Sequence, residues 1–154
     1  MKIIILGAGQ VGYSLANHLV TELENDVTVV DKDANLLRNL QEHMDLRTVI
    51  GHASYPYVLF KAGAEDADML IAVTNSDETN MVACQIAHTV FHTPTKIARV
   101  RESDYLNHDE IFGGNGGLAV DVHISPEQLV THYIQRLIDY PDALQVLDFA
   151  DGKV

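Results

Sequence analysis

The chain has 154 residues, 47% of them hydrophobic and 21% charged, a globular balance that excludes a disordered chain. Ten basic against twenty-two acidic residues leave a formal net charge of −12, which repels nucleic-acid backbones and anionic lipid headgroups and so argues against nucleic-acid binding and direct membrane docking. The single cysteine, Cys84, has no partner within the chain, and no apolar run approaches the ~20 residues of a membrane span, so a cytoplasmic protein without membrane insertion is expected.

Short β-branched runs recur along the chain at 3–6, 27–30, 47–50, 69–73, 97–100 and 120–124. The first, second and fourth are apolar almost throughout, as strands covered on both faces must be. Between the first two, Val11, Leu15, Leu19 and Leu23 fall every fourth residue and make one helical stripe. A second helical face runs from Asp77 to Phe91 through Met81, Val82, Ile86, Ala87 and Val90. Strands alternating with helices imply right-handed crossovers. The expected fold is a doubly wound, parallel six-stranded α/β sheet, a Rossmann fold, over 1–124.

The last third breaks this rhythm. Four glycines between Asn107 and Gly117 indicate a loop. Ser125-Pro126-Glu127-Gln128 has the form of a helix start, with a capping serine, proline at the first helical position and Gln128 closing a capping box. The helix expected over 125–141 carries two apolar stripes, Leu129/Tyr133/Leu137 and Val130/Ile134/Ile138, and ends at Pro141. One stripe suffices for the domain core; the second calls for another surface, such as a second subunit. Residues 142–154 read as the start of a further domain, with a strand opening at Leu144.

The strongest chemical signal is Gly7-Ala8-Gly9-Gln10-Val11-Gly12, between the first strand and the first helix. The first glycine of such a pattern permits a tight turn, the second lets backbone approach a pyrophosphate, and the third brings helix and strand together. The helix N-terminus then offers free N–H groups and partial positive charge to phosphates. Asp31, at the end of the second strand, can accept hydrogen bonds from a ribose diol and would repel a 2′-phosphate, which favours NAD(H) over NADP(H). Adenosine nucleotides and S-adenosylmethionine carry the same diol, so Asp31 alone does not choose among them. Gly51-His52-Ala53-Ser54 and Thr74-Asn75-Ser76-Asp77 follow the third and fourth strands, and Arg99 and Arg101 flank the end of the fifth, where open α/β sheets bind ligands. The two arginines suit a phosphate, a neighbouring subunit or a carboxylate of the same chain.

These residues, with Val29-Val30-Asp31, Ala64-Glu65-Asp66-Ala67-Asp68, Val73 to Met81, Ile97-Ala98-Arg99-Val100-Arg101 and Pro126-Glu127-Gln128-Leu129, resemble the nucleotide-binding domains of the regulator-of-potassium-conductance (RCK or KTN) family over essentially the whole chain. The resemblance implies NAD(H), with ATP or ADP as possible competitors, held by Gly7, Ala8, Gly9, Gln10, Val11, Gly12, Asp31, Thr74, Asn75 and Arg99. It implies a homo-oligomer, dimer or tetramer, assembled through the crossover helix and domain faces. It further implies a regulatory, non-enzymatic role at the cytoplasmic face of the inner membrane, gating a potassium channel subunit of TrkH or TrkG type. His52 stands where the broader family more often has an acidic or amide residue and is left out of the expected site.

Other pairings point elsewhere. The alternative to a regulator is the cofactor half of an NAD-dependent dehydrogenase, but six strands and their helices leave no length for a substrate domain. Tyr57 and Lys61 have the Tyr-x-x-x-Lys spacing of short-chain dehydrogenases, yet follow the third strand rather than a later one. His88 and His92 are spaced i, i+4 but lack the glutamate of a zinc hydrolase and a third ligand, so no metal is expected. Cys84 reads as a buried small hydrophobe.

Overall fold

The computed structural model describes residues 1–23, 25–113 and 115–124, together with Ile134 and Ile138. Six strands, β1 (Lys2–Leu6), β2 (Asp26–Asp31), β3 (Arg47–Ile50), β4 (Met69–Ala72), β5 (Thr95–Arg99) and β6 (Val122–Ile124), form one all-parallel sheet in the order β3-β2-β1-β4-β5-β6. The chain leaves β1 toward β2 and β3, then returns to the other side of β1 to lay down β4. The crevice between the carboxyl ends of β1 and β4 is therefore the topological switch point, where open α/β sheets bind ligands.

Period-two alternation with cover on both faces explains the unbroken apolar runs at 3–6 in β1 and 69–72 in β4. In β1, Ile3 and Ile5 point into a core shared with Leu15, Ala16 and Leu19 of α1 (Gln10–Leu23) and Leu37 and Leu40 of α2 (Ala34–His43). Ile4 and Leu6 point into a second core, with Val58 and Leu59 of α3 (Pro56–Lys61) and Met81, Ala83, Cys84 and Ala87 of α4 (Asp77–Thr89). Helices cover both faces, and the doubly wound expectation holds. Ile134 and Ile138, from one of the two stripes expected on the crossover helix, are helical and buried in the α1/α2 core. The remainder of the 125–141 expectation and the whole of 142–154 lie outside the described residues.

Several local signals fall short of the expected boundaries. Helix α2 begins where Asp33 accepts from the Asn35 N–H, and α3 begins with Pro56 in its first turn. Helix α4 starts with the Ser76 side chain accepting from the Thr79 N–H and stops at Thr89, so Val90 and Phe91 lie beyond it. The glycine-rich region follows a one-turn helix, α5 (Ser103–Leu106), and a 3₁₀ turn at Asp109–Ile111. Strand β6 starts at Val122, not 120, and is preceded by the exposed Asp121. Its carboxylate accepts from the Lys96 N–H at 2.6 Å and pairs with the buried Lys96 ammonium at 3.0 Å, tying the edge strand to β5.

Cys84 is fully buried on α4, and burial pushes its thiol well above the ordinary range. Since the thiolate is the reactive form, we expect the folded protein to resist an aromatic disulfide reagent and the urea-unfolded chain to react with one equivalent. Prompt labelling under native conditions would contradict this packing.

Candidate functional site

The glycine loop is built by contacts on both sides of the switch point. Gly7 has φ +106°, a conformation that side-chain-bearing residues rarely adopt, and a Cβ there would meet the Val73 carbonyl oxygen at 2.9 Å. Its N–H donates to the Val30 carbonyl at 2.8 Å, while the Val73 N–H donates to the Leu6 carbonyl at 2.8 Å. The turn is thereby wedged between the ends of β2 and β4. At Gly12, a Cβ would come within 1.8 Å of the Gly7 carbonyl oxygen, so helix α1 can begin this close only with glycine at that position. The third glycine packs chiefly against the loop itself, with the Ile5 side chain further off at 3.7 Å.

Asp31 faces this loop. One carboxylate oxygen accepts from the Ala8 N–H at 2.7 Å, the other from the Asp33 N–H at 2.8 Å. Each oxygen keeps lone-pair capacity for a further donor. The Asp31 carbonyl accepts from the Gly51 N–H at 3.0 Å, which brings the β3 loop alongside. Asp31 is thus a staple of the phosphate-type loop as well as a candidate ribose ligand.

On the other side, the loops after β4 and β5 are locked together. The Asp77 carboxylate accepts from the N–H groups of Arg101 and Glu102 at 2.9 and 2.8 Å. The Arg101 guanidinium donates to the Asn75 carbonyl at 2.8 Å and lies 3.9 Å from Asp77, so its charge is shared with a carboxylate of the same chain. Glu78, in the first turn of α4, is held below the usual carboxyl range by a backbone hydrogen bond and by the Tyr105 hydroxyl, which donates to it at 2.9 Å. The same bond pushes the Tyr105 phenol upward. These contacts brace α5 against α4.

Together the loops enclose a cleft of about 620 Å³, within the range typical of ligand pockets. Eight of the ten expected site residues line it: Gly7, Gly9, Gln10 and Val11 on the loop and α1, Asp31 beyond β2, Thr74 and Asn75 beyond β4, and Arg99 at the end of β5. Ala8 and Gly12 do not; one is pinned to Asp31 and the other serves the close approach of α1. His52, left out on sequence grounds, also lines the cleft. Its ring stacks on Tyr55 with centroids 4.6 Å apart, and its Nδ1 accepts from the Ser54 N–H. Its place directly after β3 was the available signal. The floor is polarised, with Asp31 and Asp33 at the β2 end and Arg99 and Arg101 at the β5 end. An elongated ligand with hydroxyls at one end and anionic charge toward the other suits that gradient.

The residues set aside on sequence grounds lie elsewhere. Tyr57 is 69% exposed with the Lys61 ammonium 5.5 Å from its ring centroid, and neither lines the cleft. His92 lies past the end of α4 with φ 55°, so His88 and His92 do not share a helical face. Among the described residues, no cluster of His, Cys, Asp or Glu fits a metal ion, and no helix is long and apolar enough to cross a membrane.

The model of the TrkA-N domain family matches residues 3–126, through every strand and loop of the cleft. The chain belongs to that family. It is 63% identical over all 154 residues to the Trk system potassium uptake protein TrkA of Halomonas elongata, and spans about a third of the length of such relatives, 33% in this case. Among solved structures it is similar to the TrkA-N domain of the inner membrane protein YbaL of Escherichia coli, at TM-score 0.68 and 20% identity, over 89% of this chain and 96% of that one. It is also similar to the GsuK channel bound to NAD, at TM-score 0.64 and 20% identity, over 86% of this chain and 23% of that one. Likeness at such low identity establishes the shared TrkA-N/RCK fold.

Proposed function

We propose that this domain is the NAD(H)-binding regulatory module of a bacterial potassium uptake system. The observation that carries the reading is the Asp31–Ala8 bond beside the switch-point crevice, which sets a ribose-type carboxylate next to a glycine loop and a helix N-terminus. Adenosine lies at the β2 end, the diphosphate crosses the first turn of α1, and the second nucleoside extends toward Thr74, Asn75 and Arg99. ATP and ADP compete at the same place, through the same diol and loop.

The Halomonas relative is named for potassium uptake, which supports the output assigned here. The domain works at the cytoplasmic face of the membrane within a homo-oligomer, dimer or tetramer, joined through the 125–141 segment and domain faces. The ligand shifts the arrangement of paired domains and so gates a TrkH- or TrkG-type potassium-transporting subunit. Such a switch requires different affinities for the two arrangements; equal binding would shift nothing. The role is non-enzymatic, and steady loss of the reduced-nicotinamide absorbance with added acceptors would overturn that part.

The direct test is a thermal-shift panel with NAD⁺, NADH, NADPH, ATP, ADP and S-adenosylmethionine. A ligand at a hundred times its Kd adds about 2.7 kcal/mol of stability. For a chain of this size that raises Tm by roughly 5–10 °C. We expect that rise with NAD(H) and a clearly smaller one with NADPH, whose 2′-phosphate meets the Asp31 carboxylate. Equal shifts for NADH and NADPH, or none with any nucleotide, would remove the reading.

A further inference from the structure

Asn80, on α4, is fully buried, and its primary amide uses its whole hydrogen-bonding capacity. Its oxygen accepts from the Thr74 N–H at 3.0 Å and from the Thr74 hydroxyl at 2.6 Å. Its nitrogen donates to the Thr74 carbonyl at 3.2 Å and to the Arg99 carbonyl at 2.9 Å. The orientation is unambiguous, because two carbonyls require the NH₂ and a backbone N–H requires the oxygen.

All four bonds go to the ends of two strands. The β4–β5 ladder closes with the Ala72↔Ala98 pair, and beyond it no strand pairing holds the diverging chains. Thr74 and Arg99 lie past that point, on the wall of the cleft. The Thr74 hydroxyl, bonded to Asn80, also accepts from the Ser76 N–H at 3.2 Å, so its geometry is dictated from within. A side chain from a helix here takes over from the sheet's own ladder.

We propose that Asn80 is a positioning residue of the nucleotide site, holding the Thr74–Arg99 wall at the separation that the second half of a dinucleotide needs. The inference rests on the nucleotide reading above. It separates two halves of the cleft: the glycine loop and Asp31 are bonded to each other without Asn80, whereas Thr74 and Arg99 are joined through it, Asp77 and Arg101 locking the same two loops further from the sheet. Loss of the amide should therefore weaken a ligand spanning both halves and spare one that occupies the first.

The experiment is calorimetric titration of NADH and of AMP into the wild-type domain and into Asn80→Asp, which keeps the shape and the acceptor but turns an oxygen toward two carbonyls. The expected result is at least a tenfold loss of NADH affinity with AMP affinity changed less than twofold. Should Asn80→Asp fail to fold, Asn80→Ser, a smaller polar side chain that removes the amide without adding a charge, is read by the same ratio. A common factor for both ligands, or no change in either, would overturn the positioning role and leave the amide a purely structural part. Failure of the wild type to bind either ligand would instead sink the nucleotide reading itself.

Discussion

Gly12→Ala is expected to destabilise the domain by about 3 kcal/mol, the upper end for overpacked sites, and to abolish nucleotide binding in the same step. The added methyl carbon would sit 1.8 Å from the Gly7 carbonyl oxygen, far inside contact distance. Gly7 has no room to yield, with the Val73 carbonyl closing on it and its own N–H bonded to Val30. Relief has to come from α1, whose Leu15, Ala16 and Leu19 are fully packed in the core. For a chain of this length the loss corresponds to a fall in Tm of roughly 6–12 °C. Gly9→Ala is the informative control. A Cβ at Gly9 meets no protein atom within 4 Å, yet Gly9 lines the cleft. That variant should keep its Tm and lose ligand-induced stabilisation. If Gly9→Ala binds NADH as the wild type does, the phosphates do not rest on this loop.

The parts of this architecture that the sequence announces most clearly are those where one physical demand dominates. Strands buried on both faces must be apolar at every position, so β1 and β4 stand out in Ile3-Ile4-Ile5-Leu6 and Met69-Leu70-Ile71-Ala72. A loop with backbone pressed on backbone admits only glycine, so Gly7 and Gly12 mark themselves. The edge strand β3 is only partly covered and less distinctive, and α3 and α5 span six and four residues, too short to develop a helical period. What stayed hidden was the network of side chains bonded to backbone. Asn80 is one polar residue in a helix whose other signals are caps and apolar spacing; its value depends on Thr74 and Arg99 carbonyls that only the fold brings together. The pairing of Arg101 with Asp77 and Asn75 belongs to the same class, since two loops must meet before the ion pair exists. His52 shows the reverse case, where a departure from a family pattern obscured a position that the topology alone places in the cleft.

Asp31→Asn should collapse the discrimination between NADH and NADPH while weakening NADH at least tenfold. On the function proposed above, the wild-type carboxylate has two duties. It accepts from the Ala8 and Asp33 N–H groups at 2.7 and 2.8 Å, which fixes the loop, and its remaining lone pairs would accept from the diol of a ligand in the cleft it lines. The amide keeps one acceptor and turns an NH₂ toward the other N–H, a donor–donor contact that costs about 1–3 kcal/mol when a donor is left unsatisfied. That loss falls on every ligand that uses the loop, NADPH included. The change in charge acts separately. Removing the carboxylate withdraws a diol acceptor from NADH and removes a repulsion from the 2′-phosphate of NADPH, so the two affinities move toward each other. Measuring both by calorimetry, with Tm recorded for each variant, therefore divides the two duties. A parallel fall in NADH and NADPH affinity at an unchanged ratio would make Asp31 a staple of the glycine loop and nothing more. A convergence of the two, beyond the shared loss, assigns it the sugar.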